Sequence, residues 1–209
     1  MTRKLKVILF LTMVSSVLAA EERNEIGLLL GAKFTPGQAI RSGAPAAAID
    51  IGKGLTLQAT YARRLTPAKG AALYLEIPFV ATPSTDVSSS NTTLPRNFAN
   101  IFITPSLRVA LAPGKKVTPW FSAGGGYGRY DESTSLISGA ANPGRTGTTT
   151  GVLQFGGGVD LQTPIHILLP IGVRLEVRDF YAGKPNYNVA TGGTGQHNVV
   201  ASGGLVLKF

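Results

Sequence analysis

The sequence predicts an all-β fold, an eight-stranded antiparallel up-and-down transmembrane β-barrel. Three observations predict it. Eight segments alternate apolar and mixed residues with period two, the signature of a strand with two unlike faces. The connectors between them alternate short and long. The last segment, Gln196 to Phe209, carries its alternation through Leu205 and Leu207 to an aromatic final residue.

The first segment, Asn24 to Phe34, puts Ile26, Leu28, Leu30, Ala32 and Phe34 on one face. The second, about Ala46 to Arg64, keeps parity through Ile49, Ile51, Leu55, Leu57, Ala59 and Tyr61, with Thr56, Gln58, Thr60 and Arg64 opposite. The third, Ala71 to Ala81, sets Leu73, Leu75, Ile77 and Phe79 against Tyr74 and Glu76. The fourth, Phe98 to Leu111, sets Ile101, Ile103, Leu107, Val109 and Leu111 against Thr104, Ser106 and Arg108. The fifth, Val117 to Glu132, opposes Phe121, Ala123 and Tyr127 to Trp120, Ser122 and a row of glycines. The sixth, Thr149 to Gln162, alternates Leu153, Phe155, Val159 and Leu161 with Gln154, Gly156, Gly158 and Asp160. The seventh, Ile171 to Tyr181, sets Ile171, Val173, Leu175 and Val177 against Arg174, Glu176 and Arg178. The tail is the eighth. Each reaches the roughly 9–11 residues that a tilted strand needs to cross a bilayer.

Residues 65–70, 112–116 and 163–170 form the short connectors; 35–45, 82–97, 133–148 and 182–195 form longer ones rich in Gly, Ser, Thr, Asn and Pro. With eight strands, both termini fall on the short-turn side. Upstream, Arg3, Lys4 and Lys6 precede an apolar run from Val7 to Leu18 and a small-residue site at Ala19. Residues 1–19 therefore read as a cleaved secretory signal peptide, and 20–209 as one barrel domain. The run is too short for a membrane-spanning helix.

Three of the 20 Lys and Arg residues lie in that segment, which leaves 17 against 11 acids and lowers the net charge from +9 to +6. The remaining cations are dispersed, so nucleic acid is not an expected partner, whereas an anionic lipopolysaccharide surface is. The absence of Cys excludes disulfides, thiol chemistry and a lipidated cysteine anchor. The 26 glycines and low charge oppose a helical protein, because each Gly weakens a helix by about 1 kcal/mol.

The terminal Phe209, the alternation before it, the strand count and the loop pattern together resemble the small OmpA/OmpX-type bacterial outer-membrane β-barrels, over the whole mature chain. The resemblance implies residence in the outer membrane and a monomer in contact with lipid and lipopolysaccharide. It also implies that Leu205, Leu207 and Phe209 form the signal read by the barrel assembly machinery. No peptidoglycan-binding domain follows the last strand, so no wall-anchoring role carries over.

A charge on the lipid face near the midplane costs about 2–4 kcal/mol. Arg64, Glu76, Arg108, Asp160, Arg174, Glu176 and Arg178 are therefore expected inside, where an eight-stranded barrel has room only for side chains. Enclosed charges must pair. The expected result is a polar plug, with a narrow ion path as the alternative.

No catalytic, cofactor-binding or metal-binding set is expected, and the chain is not read as an enzyme. His166 falls in a short turn. His197 opens the last strand pointing outward, with no serine two residues away. The runs Gly124 to Gly128 and Gly156 to Gly158 lack nucleotide-loop spacing and make room for large lumenal side chains. Phe34, Tyr61, Phe79, Tyr127, Phe155, Phe180, Tyr181 and Phe209 are expected as interfacial girdles. Two rival functions remain: a soluble periplasmic lipocalin-like ligand-binding barrel, and an outer-membrane lipid A-modifying enzyme.

Overall fold

The computed structural model describes residues 23–41, 48–68, 70–166 and 170–209. The expected signal segment, residues 1–19, lies outside them. The described residues form eleven strands: β1 (Asn24–Phe34), β2 (Gln38–Ala39), β3 (Ala48–Ile51), β4 (Gly54–Ala68), β5 (Ala71–Ser88), β6 (Asn97–Ile103), β7 (Ser106–Leu111), β8 (Val117–Glu132), β9 (Thr148–His166), β10 (Pro170–Gly183) and β11 (Gly195–Lys208). All pairings are antiparallel. Each barrel strand pairs with its sequence neighbours, and β1 closes the ring on β11 from Glu25↔Lys208 to Phe34↔Val199. Asn24 and Phe209 exchange two further backbone hydrogen bonds of 2.8 and 2.9 Å. Closure leaves no edge to recruit another chain.

The ring has eight members because β6 and β7 are two halves of one strand, both pairing with β5 and β8. They are separated at Thr104–Pro105, where proline removes a ladder donor. The kink turns two carbonyls toward β8. A Cβ at Gly126 would stand 2.0 Å from the Ile103 carbonyl oxygen, and one at Gly124 2.3 Å from that of Pro105. These two glycines therefore admit backbone, whereas the sequence reading had assigned them to large side chains. At the short-turn end, Gly114 adopts φ 83°, a left-handed value that a side chain disfavours.

Several segments differ from expectation. The third predicted strand does not end at Ala81: β5 runs on to Ser88, into residues expected as a long loop. The second predicted strand is broken at Gly52–Lys53, and β3 leaves the ring to pair with β2 and the far end of β5. Ile49 and Leu55 consequently do not share a face: Ile49 is fully buried and Leu55 is exposed. β9 also runs on to His166, past the expected start of a turn.

The outward faces carry a continuous apolar belt, with Leu28, Leu30, Leu55, Phe121, Phe155 and Leu205 all more than half exposed. The inward faces carry the polar residues at the short-turn end. At the long-loop end the same parity becomes apolar: Val80, Phe98, Phe102, Tyr130, Phe180 and Val200 point inward and pack with Ile49 of β3 and with Ile40, Leu94 and Tyr187 from the loops. Phe180, expected in a girdle, is inside this cap. No helix among the described residues is long and apolar enough to cross a membrane.

Candidate functional site

The lumen is the first place to look for chemistry, because it holds most of the buried charge. Parity brings the side chains of β5, β7, β9 and β10 to one level, and the ladder sets Arg174 directly opposite Asp160. Asp160 accepts from Arg174 Nε at 2.6 Å and from its Nη2 at 2.7 Å, a bidentate pair. Arg178 donates to Glu176 from Nε at 2.7 Å and to Glu76 from Nη1 at 2.6 Å. Arg108 joins Glu76 at 3.2 Å and Asp160 at 3.3 Å, and also pairs with Glu25. Gln58 completes Glu176 at 2.6 Å, and Ser106 completes Glu76 at 3.1 Å.

Trp120 stands in the middle of the three guanidinium groups. Its ring centre lies 4.9 Å from Arg178, 5.3 Å from Arg174 and 5.6 Å from Arg108. Its indole N–H donates to Asp160 at 3.1 Å. The glycines of β9 make this possible: a Cβ on Gly158 would sit 2.7 Å from the Trp120 ring, and one on Gly156 2.7 Å from Arg178. Four carboxylates and three guanidinium groups thus share their partners. The arrangement pairs each of these charges in a low-dielectric space.

Of the seven residues expected in the lumen, six enter this network. Arg64 is half-buried at the short-turn mouth, where it lines a cavity of about 160 Å³ with Tyr74, Thr118, Gln162 and Lys208. Glu25 and Lys33 were missed, although the parity that sends Ile26 and Leu28 outward sends both of them inward. Lys33 is fully buried; its ammonium donates to Asn100 and lies 4.6 Å from the Phe98 ring centre. Among the described residues it has no carboxylate partner. In the tail expected to carry an assembly signal, Leu205 is exposed on the outer face, while Leu207 and Phe209 are half-buried.

Above Lys33 the lumen is closed by rings. Phe102 stacks on Phe180 at 5.2 Å, and Tyr130 meets Phe98 and Phe102 edge-on at 5.7 and 5.8 Å. Tyr187 descends from the last loop, and burial raises the pKa of its phenol, which donates to Gln196 at 3.1 Å. The loops are tied to one another: Arg41 N–H donates to the Ala190 carbonyl, Arg96 N–H to that of Ser135, and the Asn188 amide to Asn142.

On the outer surface, His197 Nδ1 is 2.6 Å from Asp179 Oδ2, and the Tyr181 ring stands 4.9 Å from the imidazole. This pair was not foreseen, because Asp179 and His197 are far apart in sequence and meet only across the β10–β11 ladder. His166 belongs to β9. No group of His, Cys, Asp and Glu among the described residues is placed to hold a metal ion.

No protein-family model and no curated sequence matches the chain. Solved structures do. Neisserial surface protein A is similar over 88% of this chain and 97% of its own, with a TM-score of 0.53 at 16% identity. The outer-membrane protein OprG of Pseudomonas aeruginosa is similar over 92% and 99%, with a TM-score of 0.52 at 15% identity. The fold of this chain is that of the small bacterial outer-membrane β-barrels.

Proposed function

We propose that the protein is a non-catalytic, monomeric integral barrel of the bacterial outer membrane. Its role is in envelope structure and surface contact through its tied loops, with at most minor passage of small solutes. One observation carries this reading: apolar side chains cover the outside while paired charges fill the inside. Water is a poor solvent for such an exterior, and a lipid bilayer is a good one. The outer-membrane lipid, its lipopolysaccharide and the barrel assembly machinery are the partners that this reading requires.

The soluble ligand-binding barrel needs the reverse arrangement, with an apolar interior open to a ligand. Here the short-turn half of the interior is ionic, and the apolar half is closed by its own aromatic rings. For a lipid-modifying enzyme, the His197–Asp179 pair lacks a serine two residues along, where Val199 stands.

Labelling separates these readings. Cysteine at Leu205 should resist a water-soluble maleimide in the native membrane and react with a lipid-soluble one. The folded protein should fractionate with the outer membrane and migrate differently on gels before and after heating. Labelling of Leu205→Cys by the water-soluble maleimide as complete as that of an exposed loop cysteine would sink the membrane reading.

A further inference from the structure

Charge matching in the interior has two exceptions, and both adjoin Phe98. Lys33 is fully buried with no carboxylate in ion-pair range among the described residues; its ammonium donates to Asn100 Oδ1 and stands 4.6 Å from the Phe98 ring centre. Glu132 is 5% exposed and has no cationic partner among them, whereas the other buried carboxylates, Glu25, Glu76, Asp160 and Glu176, each meet a guanidinium group. Glu132 stands directly opposite Phe98 in the β6–β8 ladder, and both side chains are buried. Arg178, the next charge beyond Lys33 across Val200, is committed to Glu76 and Glu176.

Two buried atoms nearby have no hydrogen-bond partner, Glu132 Oε2 and Asn100 Nδ2. The acceptor belongs to the unmatched acid, and the donor to the amide that holds the unmatched lysine. Opposite charges attract strongly where the dielectric is low, and buried polar groups left unpaired raise the free energy of the state that contains them. The observed state is held instead by rings: Phe98 meets Tyr130 and Tyr187 edge-on at 5.7 and 6.4 Å. Glu132 also holds the last loop, residues 184–194. Its Oε1 accepts from the Thr148 hydroxyl at 2.6 Å and from the Asn186 N–H at 2.7 Å, one residue before the Tyr187 ring that descends into the lumen.

We propose that Lys33, Phe98 and Glu132 form a two-position switch for this loop. In the position described above, Phe98 keeps the two charges apart, Glu132 holds Asn186, and Tyr187 is docked. In the other, Phe98 swings aside, Lys33 and Glu132 pair directly, and the carboxylate turns away from Asn186, so the loop lifts. The distance to cover is short, because directly opposite residues stand about 4.5–5.5 Å apart at Cβ and Lys33 already lies over the Phe98 ring. Each position leaves something unsatisfied: rings packed with charges apart, or charges joined with rings parted. That balance is what makes an element bistable, and whatever binds the lifted loop shifts the population toward it.

The chain has no cysteine, so Val189→Cys, on the loop and partly buried against the cap, reports lifting by its rate of reaction with a water-soluble maleimide in the full-length folded protein. In that background Phe98→Leu should raise the rate on the order of tenfold. Adding Lys33→Met to Phe98→Leu should return it toward the starting rate, because Glu132 then has no lysine for which to leave Asn186. Simple loss of packing gives the opposite, a rate that stays raised or climbs further, and that result overturns the switch, as does an unchanged rate in Phe98→Leu. Urea midpoints of Lys33→Met, Glu132→Gln and the double variant give a check that leaves Phe98 intact. The double variant should be more stable than the sum of the single shifts predicts, because the attraction between the charges is lost once and not twice; additive shifts overturn the coupling.

Discussion

Arg178 shows at the residue scale how the interior is held. It is fully buried and bonds two carboxylates and the Ser122 hydroxyl, so no single removal leaves it without a partner. Glu176 is more exposed to loss. Its Oε1 receives Arg178, Gln58 and Ser202, so truncation takes one acceptor from donors on three strands at once. Breaking one side of a buried pair costs roughly 3–5 kcal/mol. Glu176→Ala should therefore lower the urea midpoint of the detergent-folded protein clearly, and Glu176→Gln less, because the amide oxygen still accepts. Equal midpoints for both variants and wild type would refute a structural role for the network. Gly158 offers a second test. Its missing Cβ is 2.4 Å from the Leu175 carbonyl and 2.7 Å from Trp120, so Gly158→Val should cost at least about 1–3 kcal/mol by overpacking. Gly151→Ala, on an open site, should leave the same midpoint within about 0.5 kcal/mol. The six networked charges were legible in the sequence, because a period-two strand has only two faces and lipid excludes charge from one of them. Lys33 and Glu25 obey the same rule and were there to be read. The Asp179–His197 pair was not legible, since it depends on register between two strands.

At the scale of the element, β11 both closes the ring and ends the chain. Its pairing with β1 runs from Val199 to Lys208, and Phe209 adds two backbone bonds to Asn24 beyond that ladder. Deleting Phe209 removes a half-buried ring, worth about 1.5–3 kcal/mol at most, and those two bonds. A barrel with its whole β1–β11 ladder intact should survive this. The deletion should lower the amount recovered in the outer membrane while the inserted fraction stays heat-resistant. Unchanged insertion would remove the tail from the assembly pathway. Most strands were readable to within a few residues, because alternation is local, but β5 continues to Ser88 in residues expected as loop and β4 begins only at Gly54. The breaks were not. Pro105 interrupts β6 and β7, yet Ile103 and Leu107 keep the same outward parity across it. Alternation is therefore blind to the kink. At Gly52–Lys53 the parity of Ile49 and Leu55 matches in sequence, but β3 has turned away from the ring, and only tertiary packing decides that.

Across the whole molecule, one set of inward positions serves two purposes, ionic at the short-turn end and aromatic at the loop end. The two fillings lie in series along the barrel axis, so removing one leaves the other in place. Purified protein in planar bilayers should stay at background conductance, and Phe102→Ala should do so too, although it should destabilise the fold by about 3–5 kcal/mol. Regular single-channel steps in wild type would refute a sealed lumen and restore the ion path as a function. The aromatic filling has a consequence for how the protein enters its membrane. Its rings and side chains come from β3, β5, β6, β8, β9, β10 and β11 and from the loops that carry Ile40, Leu94 and Tyr187. These segments meet only after each hairpin has delivered its loop to the far side. Once Phe98 stands edge-on to both Tyr130 and Tyr187, no hairpin can slide back without parting those rings and drawing the tied loops through lipid. The cap is thus a latch shared between hairpins: withdrawing any one of them parts rings that the others hold.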